Sequence, residues 1–184
     1  IKAAPRRVVV LDVGEFDNVV SLGLKPVGYA PSEGDAAIPS YLEKGAGEPK
    51  SVGTINSLNL EAIAGLQPDL ILGSQLRAAD KYDELSKIAP TVFSIRPGFT
   101  WKENYLLNAQ ALDRTKQAES ALAAYEALLA RYEAREGYDA DHRVDIALHH
   151  LGLPGLRRER PLGTLSGGER SRLALAGVLA GRPE

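Results

Sequence analysis

The residues best suited to chemistry fall into three groups. Arg77 follows the apolar run Leu70-Ile71-Leu72 and the turn Gly73-Ser74. A cation just past the carboxyl end of a buried strand stands where α/β sheets leave a ligand crevice. Tyr82 and Trp101 are aromatic residues suited to wall such a crevice, and Trp101 is equally at home in a core. The second group is Leu165-Ser166-Gly167-Gly168-Glu169. Its glycines let backbone approach a phosphate, Ser166 offers a hydroxyl, and the N-terminus of the following helix favours an anion. The same residues also describe a Gly-rich turn capping a buried helix. The third group is His142, His149 and His150. His149 and His150 are adjacent and point to different sides of a helix, and no third ligand sits at useful spacing, so no metal is expected. No Ser-His-Asp arrangement has supporting context, so no catalytic residue is assigned and no enzymatic activity is expected.

Composition narrows the classes further. The chain has 184 residues and 44% hydrophobic content, enough to bury a core in one domain or two small ones. A formal net charge of -2 gives no basic excess for nucleic acid. No apolar stretch reaches membrane-spanning length. No N-terminal apolar region has the form of a signal peptide, and the start at Ile1 reads as processed or cut. Cysteine is absent, which removes disulfides, thiolate metal ligands and a Cys nucleophile.

The elements that would position these groups alternate in the first half. Arg7-Val8-Val9-Val10-Leu11-Asp12 reads as a strand buried on both faces, followed after Val13-Gly14 by a helix over 15–22. Pro26-Val27-Gly28-Tyr29 is a second strand. Residues 30–50 read as loop with one helical turn near Tyr41, and Ser51-Val52-Gly53 as a strand end. Asn59 is the expected N-cap of a helix over 60–66. Strands at 70–72 and Thr91-Val92-Phe93-Ser94 bracket a helix over 79–88. This alternation predicts an α/β fold with a parallel sheet flanked by helices. Thr100 and Glu103 fit a capping box opening a helix over 101–112. A long helix is expected over 115–135, with Ala118, Ala121, Leu122, Tyr125, Leu128, Leu129 and Tyr132 on one apolar stripe. Asp141 is the expected cap of a helix through Leu151, and a last helix is expected over 168–180. The expected organisation is a lobe at 1–114, a linking helix at 115–136, and a small helical segment at 137–184.

Several pieces occur in a characteristic order: Val8-Val9-Val10-Leu11-Asp12, Leu22-Gly23-Leu24-Lys25-Pro26-Val27-Gly28, Asn59-Leu60-Glu61-Ala62-Ile63, Gln67-Pro68-Asp69-Leu70-Ile71-Leu72-Gly73-Ser74 and Leu85-Ser86-Lys87-Ile88-Ala89-Pro90-Thr91-Val92. Over about the first three-quarters of its length the chain resembles the iron–siderophore receptors of ABC importers. The resemblance implies one lobe of a two-lobed periplasmic binding protein fold, with the ligand between lobes joined by a long helix. Residues 115–135 match that helix. The sequence beyond has a different character, so an incomplete cleft is expected. The implied ligand is a ferric siderophore of the hydroxamate type, with no cofactor. Arg77 would bond its oxygens, with Tyr82 and Trp101 as aromatic walls. The implied partner is an ABC permease, docked through Glu61. On residues alone, Glu61 is an acid that favours the helix dipole. The implied location is extracytoplasmic, with membrane attachment only through a lipid anchor that this sequence lacks.

Residues 127–184 resemble another family. Leu165-Ser166-Gly167-Gly168-Glu169-Arg170, followed by Ser171-Arg172-Leu173-Ala174-Leu175-Ala176, is similar to the signature region of ABC-F type ATPases. A Walker A pattern, G-x-x-x-x-G-K-[ST], does not occur in the sequence. Ser166, Gly167, Gly168 and Glu169 are therefore read as a vestigial nucleotide motif. The alternative function is a fragment of an ABC-F type ATP-binding protein, inactive without Walker A and Walker B. The two resemblances meet around residues 124–135.

Overall fold

The computed structural model describes residues 4–32 and 38–181. The chain divides into two compact units, Ile1–Ala123 and Ala124–Glu184.

The first unit begins with β1 (Val8–Val10) and α1 (Val13–Ser21). Then come β2 (Gly28–Tyr29), α2 (Glu43–Ala46), β3 (Lys50–Ser51), β4 (Gly53–Thr54), β5 (Ser57–Leu58) and α3 (Leu60–Gly65). Next are β6 (Leu70–Ser74), α4 (Gln75–Ala78), α5 (Tyr82–Ile88), β7 (Thr91–Ser94) and α6 (Trp101–Ala111). Five strands form one sheet in the order β3-β2-β1-β6-β7, and every pairing in it is parallel. The expected alternation is thus a parallel sheet flanked by helices. Residues 33–37 of the expected loop lie outside the described residues.

Pleating explains why whole strands are apolar. Val8, Val10, Leu70 and Leu72 face one core with Phe16, Val19, Leu22, Tyr105 and Leu112 from α1 and the α6 region. Val9, Leu11 and Ile71 face the other core with Ile63 and Leu85 from α3 and α5. Each strand buries both faces, so apolar residues run continuously rather than alternating. The connection through α1 covers one face, and the connections through α3 and α5 cover the other. The sheet therefore reverses its winding between β1 and β6, the switch point where α/β sheets open a crevice.

Local chemistry sets the ends. The Asn59 side chain accepts a hydrogen bond from Ala62 N at 2.9 Å and caps α3, as its position predicts. Asp12 is a cap as well as a strand end: its Oδ1 accepts from Val13 N at 2.7 Å, and α1 starts two residues earlier than expected. A two-stranded antiparallel pair, β4 with β5, was not expected. Gly53 enables it with φ +95, where an added Cβ would overlap the Ser57 carbonyl oxygen. The expected capping box at Thr100 does not form. Thr100 makes no cap bond; its hydroxyl instead donates to the Arg96 carbonyl at 3.2 Å, which Asn104 Nδ2 also reaches at 2.8 Å.

The long helix is present as α7 (Thr115–Ala134). Its expected apolar stripe is mostly uncovered, because only Ala118 is buried while Tyr125, Leu128 and Tyr132 are exposed. The second unit contains α8 (Ala140–His150) and α9 (Gly167–Gly181), packed around Ala147, Leu148, Leu153 and Ala176. Arg143 on α8 bonds to the turn before it and to α9, donating to the carbonyls of Glu136 at 2.8 Å and Ala180 at 3.3 Å. Asp141 is not the cap of α8. Asp139 holds that position without a side-chain bond, and Asp141 pairs with Arg158 at 2.5 Å. Among the described residues, no helix is long and apolar enough to cross a membrane.

Candidate functional site

The carboxyl ends of three neighbouring strands build the site. β1 runs into Asp12, β6 ends at Ser74, and β7 ends at Ser94, which pairs with Ser74 across the sheet. These ends lie at the switch point. Arg77 rises from α4, directly beyond Ser74, with two-fifths of its side chain exposed. Its Nε lies 3.7 Å from Asp12 Oδ2. Ser74 Oγ stands 3.5 Å from that same oxygen. The sheet edge thus carries a solvent-reaching cation over a buried carboxylate.

A second carboxylate lies beside the first. Glu15 is buried at 3% exposure and accepts a hydrogen bond from Ser94 Oγ at 2.8 Å through Oε1. Oε2 has no partner among the described residues. Burial raises the carboxyl above its usual range, the Ser94 bond offsets part of that, and the nearby Asp12 charge adds to the rise. Glu15 also lines a hollow of about 240 Å³ with Trp101, Asn104, Pro97 and Gly98.

Trp101 therefore stands with α1 and the β7–α6 loop. Tyr82 borders a separate hollow of about 550 Å³ with Gln75, Asp80 and Phe93. Its ring meets Phe93 edge-on at 5.3 Å and its hydroxyl lies 3.5 Å from the Thr91 carbonyl. Arg77 stands over Asp12 at the carboxyl edge, Trp101 lines the hollow beside Glu15, and Tyr82 packs on the outer strand. Leu76, Ile95 and Phe99 are exposed apolar residues of the same edge, with Phe99 at 98%. Exposed Arg96 follows β7 as Arg77 follows β6. Glu61 is exposed in the first turn of α3.

Sequence reasoning missed Asp12, Glu15, Ser74, Ser94 and Arg96 as parts of this edge. A polar residue closing an apolar strand was the available signal for Asp12, Ser74 and Ser94. Glu15 gave none, because its partner Ser94 lies 79 residues along the chain.

In the second unit, Ser166 and Glu169 satisfy each other. Glu169 Oε2 accepts from Ser166 N at 2.7 Å, and Ser166 Oγ accepts from Glu169 N at 3.2 Å. This reciprocal pair is a capping box for α9. The backbone bond from Ser166 is the main reason the Glu169 carboxyl sits below its usual range. Arg160 Nη1 adds an ion pair at 3.2 Å. Gly167 and Gly168 face open space. His149 and His150 are exposed on α8, and among the described residues no three His, Cys, Asp or Glu side chains gather as metal ligands.

Known proteins of two kinds are similar to this chain. The siderophore-binding lipoprotein YfiY of Bacillus subtilis (strain 168), a probable assignment in its own name, is 35% identical over 147 residues, covering 79% of this chain and 45% of YfiY. Staphylococcus aureus SirA complexed with staphyloferrin B superposes with a TM-score of 0.69 at 39% identity, covering 77% of this chain and 48% of SirA. The chain thus spans a little under half the length of these two proteins. The tylosin resistance ATP-binding protein TlrC of Streptomyces fradiae is 68% identical over 66 residues, 36% of this chain and 12% of TlrC. The periplasmic binding protein family matches residues 8–143, which include the whole switch-point edge, α7 and the start of α8. With its parallel sheet, its crevice-forming strand ends and a match over most of its length, the chain belongs to the periplasmic binding protein family.

Proposed function

We propose that the first unit is a receptor lobe that binds a ferric siderophore outside the cytoplasm and delivers it to the permease of an ABC importer. It binds without catalysis. The observation that carries this reading is Arg77, a partly exposed cation at the switch point of a parallel sheet in a chain similar to siderophore-binding proteins. Ferric siderophores surround iron with oxygen donors, so a receptor needs a hydrogen-bonding cation and apolar walls rather than metal ligands. Arg77 supplies the cation, and Trp101, which lines the hollow with Glu15, supplies a wall. Tyr82 is the outermost aromatic contact, reached by a bulky chelate. Glu61, exposed on α3, is the permease-docking carboxylate. A hydroxamate chelate, rich in oxygen, suits this cation. Residues 1–114 form the lobe and 115–136 the linking helix of this reading, and a lipid anchor would be its only membrane attachment.

The test is titration of ferric siderophores followed by the fluorescence of Trp101, the sole tryptophan. A charge-assisted hydrogen bond contributes roughly 1.5–3 kcal/mol, so Arg77→Ala weakens binding by about one to two powers of ten. Unchanged affinity removes Arg77 from the site.

The TlrC likeness favours a second reading for residues 137–184, as a segment of ABC-F type ATPase ancestry. In that reading Ser166, Gly167, Gly168 and Glu169 are a signature motif serving only as a helix cap. Titration with Mg-ATP tests it. Micromolar binding lost in Ser166→Ala would show a working nucleotide site.

A further inference from the structure

We infer that Asp12 is the positioning residue of the ligand cation: it holds Arg77 by the inner nitrogen and turns the outer ones toward the crevice. The inference rests on the receptor reading above.

The two oxygens of Asp12 have separate tasks. Oδ1 accepts from Val13 N at 2.7 Å and starts α1. That bond fixes the carboxylate plane, because moving it would uncap the helix. Oδ2 then faces Ser74 Oγ at 3.5 Å and Arg77 Nε at 3.7 Å. Only 10% of the Asp12 side chain is exposed, against 40% for Arg77. The pair joins a rigid, buried acid to a cation whose tip reaches solvent.

The nitrogen engaged decides what remains available. A guanidinium has five N–H donors in one plane, one on Nε and four on the two Nη atoms. The nearest approach is through Nε, at 3.7 Å an ion pair rather than a hydrogen bond, and it leaves the four outer donors for ligand oxygens, in the forked geometry that suits carboxylate and hydroxamate groups. A free arginine would give up rotamer freedom when it bound, and a side chain held at its root gives up less. One effect opposes this. The Asp12 charge partly cancels the attraction of Arg77 for an anionic chelate. That long-range effect is screened by solvent at an exposed guanidinium, whereas a misdirected guanidinium loses its short-range bonds outright. Orientation therefore outweighs charge, and Asp12 strengthens binding.

Asp12→Asn is the discriminating variant, because asparagine caps helices as well as aspartate does and keeps the shape while removing the charge. Ferric siderophore affinity is measured by fluorescence titration for the wild type, Asp12→Asn, Arg77→Ala and the double variant. Asp12→Asn is expected to weaken binding about fivefold, the upper range for a partly exposed ion pair. In the Arg77→Ala background the same change is expected to have no effect. A second readout needs no ligand: the Arg77 Nε nitrogen-15 chemical shift moves in Asp12→Asn, because the charge facing it is removed. Wild-type affinity in Asp12→Asn, tighter binding, or an equal loss without Arg77 would overturn the inference. A wild-type chain that binds none of the chelates refutes the receptor reading itself, and the positioning role with it; the NMR signal then reports the ion pair alone.

Discussion

Replacing Glu15 with Gln tests the electrostatics under the crevice. In the wild type one oxygen of Glu15 accepts from Ser94 at 2.8 Å, and the other is buried without a partner among the described residues. Burial raises the folded-state carboxyl above its ordinary value of 4.5, and Asp12 adds to the rise. The folded chain therefore holds a proton in a range where the unfolded chain has released it. By linkage, the stability associated with that proton is complete below the ordinary value and is lost as pH rises through the folded value. An unsatisfied buried polar atom costs about 1–3 kcal/mol, more when charged. Glu15→Gln keeps an acceptor for Ser94 and cannot ionise. Near about pH 4 the protonated acid and the amide have matching shapes and polarity, so the two proteins should differ little. By about pH 8 the variant should have gained roughly 1–3 kcal/mol on the wild type. Urea unfolding at a series of pH values, followed by Trp101 fluorescence, measures this for the first unit. A stability difference that stays constant with pH, or a wild type that gains on the variant as pH rises, would refute the reasoning.

Gly53→Ala should destabilise the first unit by about 1–3 kcal/mol, since the new Cβ meets the Ser57 carbonyl at a positive φ; unchanged urea unfolding would contradict the strain assigned there. Ser166→Ala should cost about 1 kcal/mol through loss of the α9 cap and leave ferric siderophore affinity unchanged. Thermal unfolding and the same titration check both halves of that statement, and a loss of siderophore affinity would contradict it.

The architecture was legible where a short segment carried its own reason. Val8-Val9-Val10 and Leu70-Ile71-Leu72 are apolar at every position, which only a strand covered on both faces requires, and both are buried throughout. Asn59 has the chemistry of a cap, and it caps. Elsewhere a distant group decided. Thr100 could cap its helix, but the Arg96 carbonyl takes its hydroxyl. The α7 stripe was readable as apolar, yet periodicity does not say what covers it, and Leu128 stands 61% exposed. Strands of two residues, such as β4 and β5, are too short for a period of two to register. The candidate edge divides the same way. Arg77 was found from its place after a strand, while its pairing with Asp12 depends on β1 lying beside β6, a contact 62 residues apart for Asp12 and Ser74.

Equilibrium dialysis of the chain against iron-59-loaded siderophores tests the central claim most directly. A panel of a ferric hydroxamate, ferric citrate and a ferric catecholate, each paired with its iron-free form, covers the oxygen-donor classes. The receptor account predicts saturable retention of iron with at least one oxygen-rich chelate, at about one chelate per chain, and retention weakened by about one to two powers of ten in Arg77→Ala. Iron that equilibrates evenly across the membrane for every chelate, or retention that Arg77→Ala leaves intact, would contradict it.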